Sequence, residues 1–322
     1  MTLLKHREAL LALAILMLVG LVAARFPAFV RPANLVAVFN DTSPLILLAI
    51  GQMIVILTKC IDLSVAATLA LCGMVAALLN GAGVPLPLIL LSAIGLGAVL
   101  GAINGLLVWK LGIPSIVVTL GTMTIYRGTI FLMTDGAWVN AHQMTDGFKS
   151  LPRMVIAGLP VMSWVALVAI GLFTVLLART PLGRAFYAVG GNPHAAVYTG
   201  IDVGRTQFLA FVIAGALAGL TGYLWVARYA VAYVDIADGF ELSVVAACVI
   251  GGVAIAGGAG SVAGAVLGAL FLGVINNALP VVGISPFWQM AISGSAIVLA
   301  VAFNAAQNRA PGRIILKAVE PR

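Results

Sequence analysis

Charged side chains are what this sequence has least of: 8% of its 322 residues are Asp, Glu, Lys or Arg, where a soluble domain carries about a quarter. The chain is 62% hydrophobic, so it cannot cover one apolar core with a charged surface, and a soluble globular fold is excluded. Reactive groups are as scarce. Three cysteines (Cys60, Cys72, Cys248) and three histidines (His6, His142, His194) stand apart from one another. They offer neither a metal-ligand spacing nor a Cys/His nucleophile, and the cysteines read as small core residues. Glutamate occurs only at Glu8, Glu241 and Glu320, too sparsely for clustered acids. No lysine follows a glycine anywhere, so the phosphate loop of ATP-hydrolysing proteins is absent. These absences point away from an enzyme and call for no cofactor. Energy must come from another chain or from an ion gradient.

What is present is a succession of long apolar runs: Leu10 to Ala24, Leu45 to Thr58, Leu63 to Leu79, Leu86 to Trp109 and Ser115 to Met133, then Val155 to Ala178, Gln207 to Ala227, Leu242 to Ala256, Ser261 to Ala278 and Phe287 to Phe303. Their lengths approach the roughly 20 residues that span a bilayer. The second, third and eighth are short and interrupted by glycine, at Gly51, Gly73 and the pair Gly251-Gly252, which predicts broken or tilted helices. The start, Lys5 to Arg7 before an apolar run, has the shape of a signal peptide; with no soluble exported domain after it, it is expected to stay as the first helix. The basic residues set the orientation. With the N-terminus inside, Lys5, Arg7, Lys59, Lys110, Arg179, Arg184, Arg205, Arg309, Arg313, Lys317 and Arg322 are cytoplasmic, while only Arg25, Arg31, Lys149, Arg153 and Arg228 are outside. The acids Asp41, Asp135, Asp146, Asp235, Asp238 and Glu241 fall outside. Both termini are therefore expected in the cytoplasm, and the net charge of +7 reflects membrane topology, not a nucleic-acid partner.

The chain also repeats itself. Asp62, Leu63, Ser64 and Val65 are echoed by Glu241, Leu242, Ser243 and Val244, and the string Gly97 to Ala102 recurs as Gly264 to Ala269. Two matches in the same order suggest duplication of a five-helix unit, although glycine/alanine packing strips give similar strings without it. An odd number of crossings turns the second copy over, as in transporters built from inverted repeats. The expected fold is all-α: one transmembrane permease domain over 1–322, a polytopic bundle of about ten helices in two inverted five-helix repeats, with halves at about 1–150 and 151–322.

Several residues stand out against this background. The loop from Arg179 to Arg205 is structured: Thr180 can cap a short helix with Pro181 at its first position, and Gly190, Gly191, Asn192 and Pro193 end it in a turn. Leu182, Gly183 and Arg184 open that helix and Phe186 and Tyr187 lie within it, so aromatics between arginines offer a docking surface for a soluble partner. Lys59 and Asp62 are three apart and can form an ion pair on one helix face; alternatively Asp62, with Ser64, is a gate element. Arg127 lies inside a helix, where it either snorkels to the headgroups or bonds a hydroxylated solute beside Thr124 and Tyr126. Asn104, Asn276 and Asn277 either tie helices together or line a solute path. Glu241 mirrors Asp62 and is the further pathway candidate. Trp225, Tyr229 and Tyr233 read first as an interfacial aromatic belt.

Taken together, the stretches Ile54 to Thr58 and Ile61 to Val65, Leu182 to Arg184, Ala188 to Asn192, Gly200 and Ile201, Glu241 and Leu242 on to Gly251 and Gly252, Gly257 to Gly260, and Asn276 to Leu279 make the chain similar, over nearly its whole length, to the permease subunits of ribose-type ABC sugar importers. Thr58 to Asp62 and Trp225 to Asp235 look most like the rhamnose-type branch, with the autoinducer-2 type a close relative. Where the family usually has glycine before Ile61 and after Val65, this chain has Cys60 and Ala66. The resemblance implies import of a monosaccharide, rhamnose or a related sugar, across a bacterial inner (plasma) membrane. It also implies a second permease (homodimer or related chain), a separate ATP-binding subunit, a periplasmic sugar-binding protein, and a coupling helix within Arg179 to Arg205. Membrane lipid is the remaining partner. An ATP-independent secondary transporter would fit the inverted repeat as well, but should carry more ionisable groups in mid-membrane.

Overall fold

A computed structural model describes residues 2–284 together with positions 288, 291, 294, 295 and 298. Among the described residues, seven helices are long and apolar enough to cross a membrane. They are α1 (Thr2–Arg25), α2 (Pro32–Leu57), α4 (Leu86–Leu111), α5 (Ser115–Thr134), α7 (Val161–Arg179), α10 (Val203–Tyr229) and α12 (Val262–Val281). Two shorter apolar helices join them, α3 (Val65–Gly81) and α11 (Phe240–Ile250). The remaining helices, α6 (Asp146–Ser150), α8 (Pro181–Gly191) and α9 (Pro193–Tyr198), lie at the ends of the bundle. The sequence is thus an all-α polytopic membrane protein. The run Phe287 to Phe303 and the basic residues after it lie, but for isolated positions, outside the described residues.

The helices stop where the chain chemistry dictates. Pro32 and Pro87 sit in the first turns of α2 and α4, where no N–H is missed. Asp202 and Ser261 cap α10 and α12 by accepting from Arg205 N at 2.9 Å and Gly264 N at 2.9 Å. The run from Val155 does not enter the membrane at once. Val155–Ile156 pairs with Leu159–Pro160 in a hairpin turned by Ala157 and Gly158, both at positive φ, and α7 begins only at Val161. The eighth run ends early because the stretch from Gly251 to Gly260 holds four glycines at positive φ.

The second run is the larger surprise: α2 is one helix of 26 residues, extending well before Leu45 through Asn40, Asp41, Thr42, Ser43 and Pro44. The hydroxyls cause no break because they bond back along the helix, Thr42 Oγ1 to Val38 O at 2.7 Å and Ser43 Oγ to Phe39 O at 2.9 Å. Pro44 has no N–H for the carbonyl of Asn40, and that oxygen instead accepts from Arg228 Nη1 at 2.8 Å. Arg228 also pairs with the Asp41 carboxylate. From Thr42 to Leu57 every residue is buried, so α2 is apolar all round because protein surrounds it all round.

The bundle is organised on α2 and α10. α10 packs against α2, α3 and α4, while α2 packs also against α7, α11 and α12. Between α4 and α10 the backbones touch: a Cβ on Gly97 would lie 2.2 Å from Gly215 O, and one on Gly101 2.2 Å from Phe211 O. Small residues every fourth position let helices meet this closely where lipid supplies no hydrophobic drive. The duplicate glycines meet other partners: Gly264 and Gly268 pack on Gly251 and Ala247 at the end of α11. A leucine in place of Gly101 should cost about 3 kcal/mol or more through overpacking and abolish monodisperse elution in detergent. Gly95→Ala, whose added carbon meets nothing within 4 Å, should elute as the wild type.

Candidate functional site

The candidate residues separate into three places. At one end of the bundle, α7 runs into α8 through Thr180, whose Oγ1 accepts from Gly183 N at 3.1 Å. Gly183 is where α8 folds back on α7, since a Cβ there would lie 2.4 Å from Leu176 O. Leu182 is half-buried and Arg184 is exposed. Phe186 is fully buried, so it does not serve as the exposed anchor expected from the sequence: on an amphipathic helix its register with Gly183, Val189 and Gly190 turns it inward. Tyr187 donates to Gly260 O at 2.9 Å, and burial pushes its phenol above the ordinary value. Gly191 and Asn192 are exposed, and Asn192 Oδ1 accepts from Ala195 N at 3.1 Å to start α9. The outermost groups are ones the sequence reading did not single out: Tyr198 is 92% and Val197 60% exposed.

Near the same end, inside the bundle, is a polar break between α2 and α3. Lys59, at φ 64, closes α2 with the two bonds of a Schellman turn, its own N to Ile56 O at 2.9 Å and Cys60 N to Val55 O at 3.2 Å. The chain then turns back into the protein. With its amide oriented so that Nε2 donates, Gln52 brackets the Asp62 backbone, donating to Asp62 O at 3.0 Å and accepting from Asp62 N at 3.2 Å. Ile61 N donates to Ser115 Oγ at 3.1 Å. Asp62 Oδ1 accepts from Ser64 N at 2.8 Å and Ser64 Oγ at 2.6 Å, and Asn104 Nδ2 donates to Ser64 Oγ at 2.8 Å. Among the described residues, Asn104 Oδ1 is buried without a partner. Asp62, Ser64 and Asn104 therefore form one cluster. The expected ion pair of Lys59 with Asp62 does not form: the segment is not helical, Lys59 points out, and Asp62 is 3% exposed.

Arg127 and Glu241 lie at the opposite end. Arg127 donates to Val234 O at 2.5 Å and Ile236 O at 2.7 Å and pairs with Asp238 at 3.9 Å. It fixes the turn before α11, beside the stacked rings of Trp138 and Tyr233. Arg228, also missed from the sequence, accepts at its own carbonyl from Arg153 Nε at 2.9 Å; the signal that could have found it is Pro44, which leaves a carbonyl needing a donor. Asn276 and Asn277 sit apart on α12. Asn276 is exposed. Asn277 donates to Gly273 O at 2.9 Å and lines a cavity of about 480 Å³ with Arg25 and Asn34. The three cysteines are buried and unpaired with one another, as expected.

Close-packed helices, a loop-borne helix pair at one end and a re-entrant polar break describe a transport protein, and comparison with known proteins agrees. Residues 34–301 match the family described as "Branched-chain amino acid transport system / permease component", and the chain belongs to that family of transport permeases. It is similar to the autoinducer 2 import system permease protein LsrC of Enterobacter sp. (strain 638), with 42% identity over 295 residues, 91% of this chain and 85% of that one. The proteins of that name from Salmonella typhi and Photorhabdus luminescens are each 36% identical over 299 residues, 93% of this chain, covering 86% and 90% of theirs. No solved structure matches the chain.

The break yields a graded expectation. Asp62→Asn keeps an acceptor for Ser64 and should leave thermal stability in detergent within about 1 kcal/mol, whereas Asp62→Ala should lower it by about 1–3 kcal/mol.

Proposed function

We propose that this chain is the permease subunit of an ATP-binding-cassette importer in a bacterial inner membrane, and that its solute is autoinducer 2. The observation that carries this is the 42% identity with an autoinducer 2 import permease across 91% of the chain. The rhamnose-type branch, favoured by the local resemblance of Thr58 to Asp62, has no such support. A second permease completes the path, a periplasmic binding protein delivers the solute, and a separate ATP-binding subunit docks on α8 and α9.

Three features support this arrangement. The α8 end gathers Lys59, Lys110, Arg179, Arg184 and Arg205 against the acids Asp62 and Asp202, while at the other end Asp41, Asp146, Asp238 and Glu241 offset Arg127, Lys149 and Arg228. This is the bias expected if the α8 end faces the cytoplasm. α4 packs on α10 and α12 packs on α2, an exchange that fits two inverted halves. At the docking face, Phe186 and Val189 seat α8 on the bundle, leaving Arg184, Val197 and Tyr198 to meet the partner. An exposed tyrosine among arginines is the composition of an interface anchor.

The test is co-purification and uptake. The chain should retain a tagged cognate ATP-binding subunit, and with binding protein in proteoliposomes should take up autoinducer 2 in preference to rhamnose, and only with ATP. Arg184→Glu or Tyr198→Ala should weaken retention about thirtyfold or more, as an interface anchor of about 2 kcal/mol or more implies, without altering membrane insertion. Uptake by the chain alone, or undiminished retention by both variants, would contradict the proposal.

A further inference from the structure

We propose that α8 acts on the polar break through a rigid joint of backbone, made by Gly190, Gly258 and the Leu57–Lys59 turn. Movement of the docking helix is thereby passed directly to the Asp62–Ser64–Asn104 cluster. This rests on the reading of α8 as the ATPase-docking helix and adds the route by which docking reaches the polar break.

The joint is visible in what three glycines exclude. A Cβ on Gly190 would lie 1.7 Å from Leu57 O and 2.3 Å from Gly258 N, so α8, the end of α2 and the turn after α11 meet with no side chain between them. Gly258, at φ +73, would clash with Gly191 N at 2.5 Å, and Gly257, at φ +83, with Lys59 N at 3.1 Å and Lys59 Cγ at 2.6 Å. Leu57 O, one of the carbonyls that a helix end leaves without a partner, accepts from Gly258 N at 3.0 Å. Tyr187 on α8 donates to Gly260 O at 2.9 Å, closing the joint from its other side. Thr58 O accepts from Gln207 Nε2 of α10 at 3.1 Å, which brings a central helix to the same turn.

Flexible side chains absorb small displacements by changing rotamer, whereas backbone in van der Waals contact has no such freedom. A shift of α8 therefore moves Leu57 to Lys59, and Asp62 follows three residues later. The turn after α11 moves with it and leads through Ser261 into α12. Ser261 also donates to the Glu8 carboxylate of α1. The joint thus ties α8 to both short helices that begin or end inside the bundle.

The experiment uses the permease assembled with its ATP-binding subunit, and reads two quantities. One is solute moved per ATP hydrolysed. The other is alkylation by a maleimide of the native Cys60 thiol, which is buried in the break at 3% exposure. In the wild-type complex, ATP should change the Cys60 alkylation rate severalfold. Tyr187→Phe removes one hydroxyl and leaves the packing, and its effect is read per ATP hydrolysed by the complexes that assemble. It should lower solute moved per ATP roughly fivefold, the worth of one hydrogen bond, and blunt the ATP response of Cys60. Gly190→Ala should do both more severely; if it fails to assemble, Tyr187→Phe decides. A Cys60 rate indifferent to ATP in the wild type, or a Tyr187→Phe complex with wild-type solute per ATP, overturns the joint. A wild-type chain that retains no ATP-binding subunit overturns the docking reading and this inference with it.

Discussion

A bilayer offers no water to a carbonyl that loses its helical partner, so each departure from helix in this bundle has to be answered from within the protein. The structure is organised around such answers. Pro44 frees Asn40 O, and Arg228 donates to it. The end of α2 frees Leu57 O and Thr58 O, and Gly258 N and Gln207 donate to them. The backbone of the break is held by Gln52 and Ser115, and the turn before α11 by Arg127. Apart from Gln52, which lies on α2 just before the break, these partners come from elements distant in sequence, so satisfying the backbone also dictates which helices are neighbours.

The second constraint is proximity. With no difference in polarity between lipid tails and a leucine surface, helices gain by packing closely and not by hiding from solvent. The α4–α10 contact, where the backbones meet at Gly97, Gly101 and Gly215, and the contact of Gly190 with Leu57 and Gly258 follow the same logic with different consequences. The first lies deep between spans and fixes them. The second lies beneath an exposed helix pair, next to a segment that is not helical, and so stands where a partner's movement enters the bundle.

Much of this was legible in the sequence because membrane residence writes itself as long apolar runs and biased charge. The apolar runs from Leu86, Ser115, Gln207 and Ser261 all correspond to observed helices, and Thr180 caps α8 as its residue type suggested, whereas Asn192, read as part of the turn that ends α8, caps α9. Asp41 to Pro44 misled because polar residues and proline read as a loop, while a distant arginine and backward-bonding hydroxyls keep them in α2. Phe186 misled for a related reason: an aromatic in a loop reads as exposed, and only the register of an 11-residue helix turns it inward and leaves Tyr198 outside. Arg127 reads as a charge in the membrane that either snorkels or bonds a solute; in the structure it holds two carbonyls more than a hundred residues away. Spacing along one chain cannot reveal such pairings.

The claim that distant donors answer broken helices is most directly tested at Pro44 and Arg228. Pro44→Ala restores an N–H that can take over Asn40 O, so the need for Arg228 should fall. In a double-mutant cycle on thermal stability in detergent, Arg228→Met should cost less in the Pro44→Ala background than in the wild type, with a coupling of about 1 kcal/mol or more. Strictly additive effects would contradict the account.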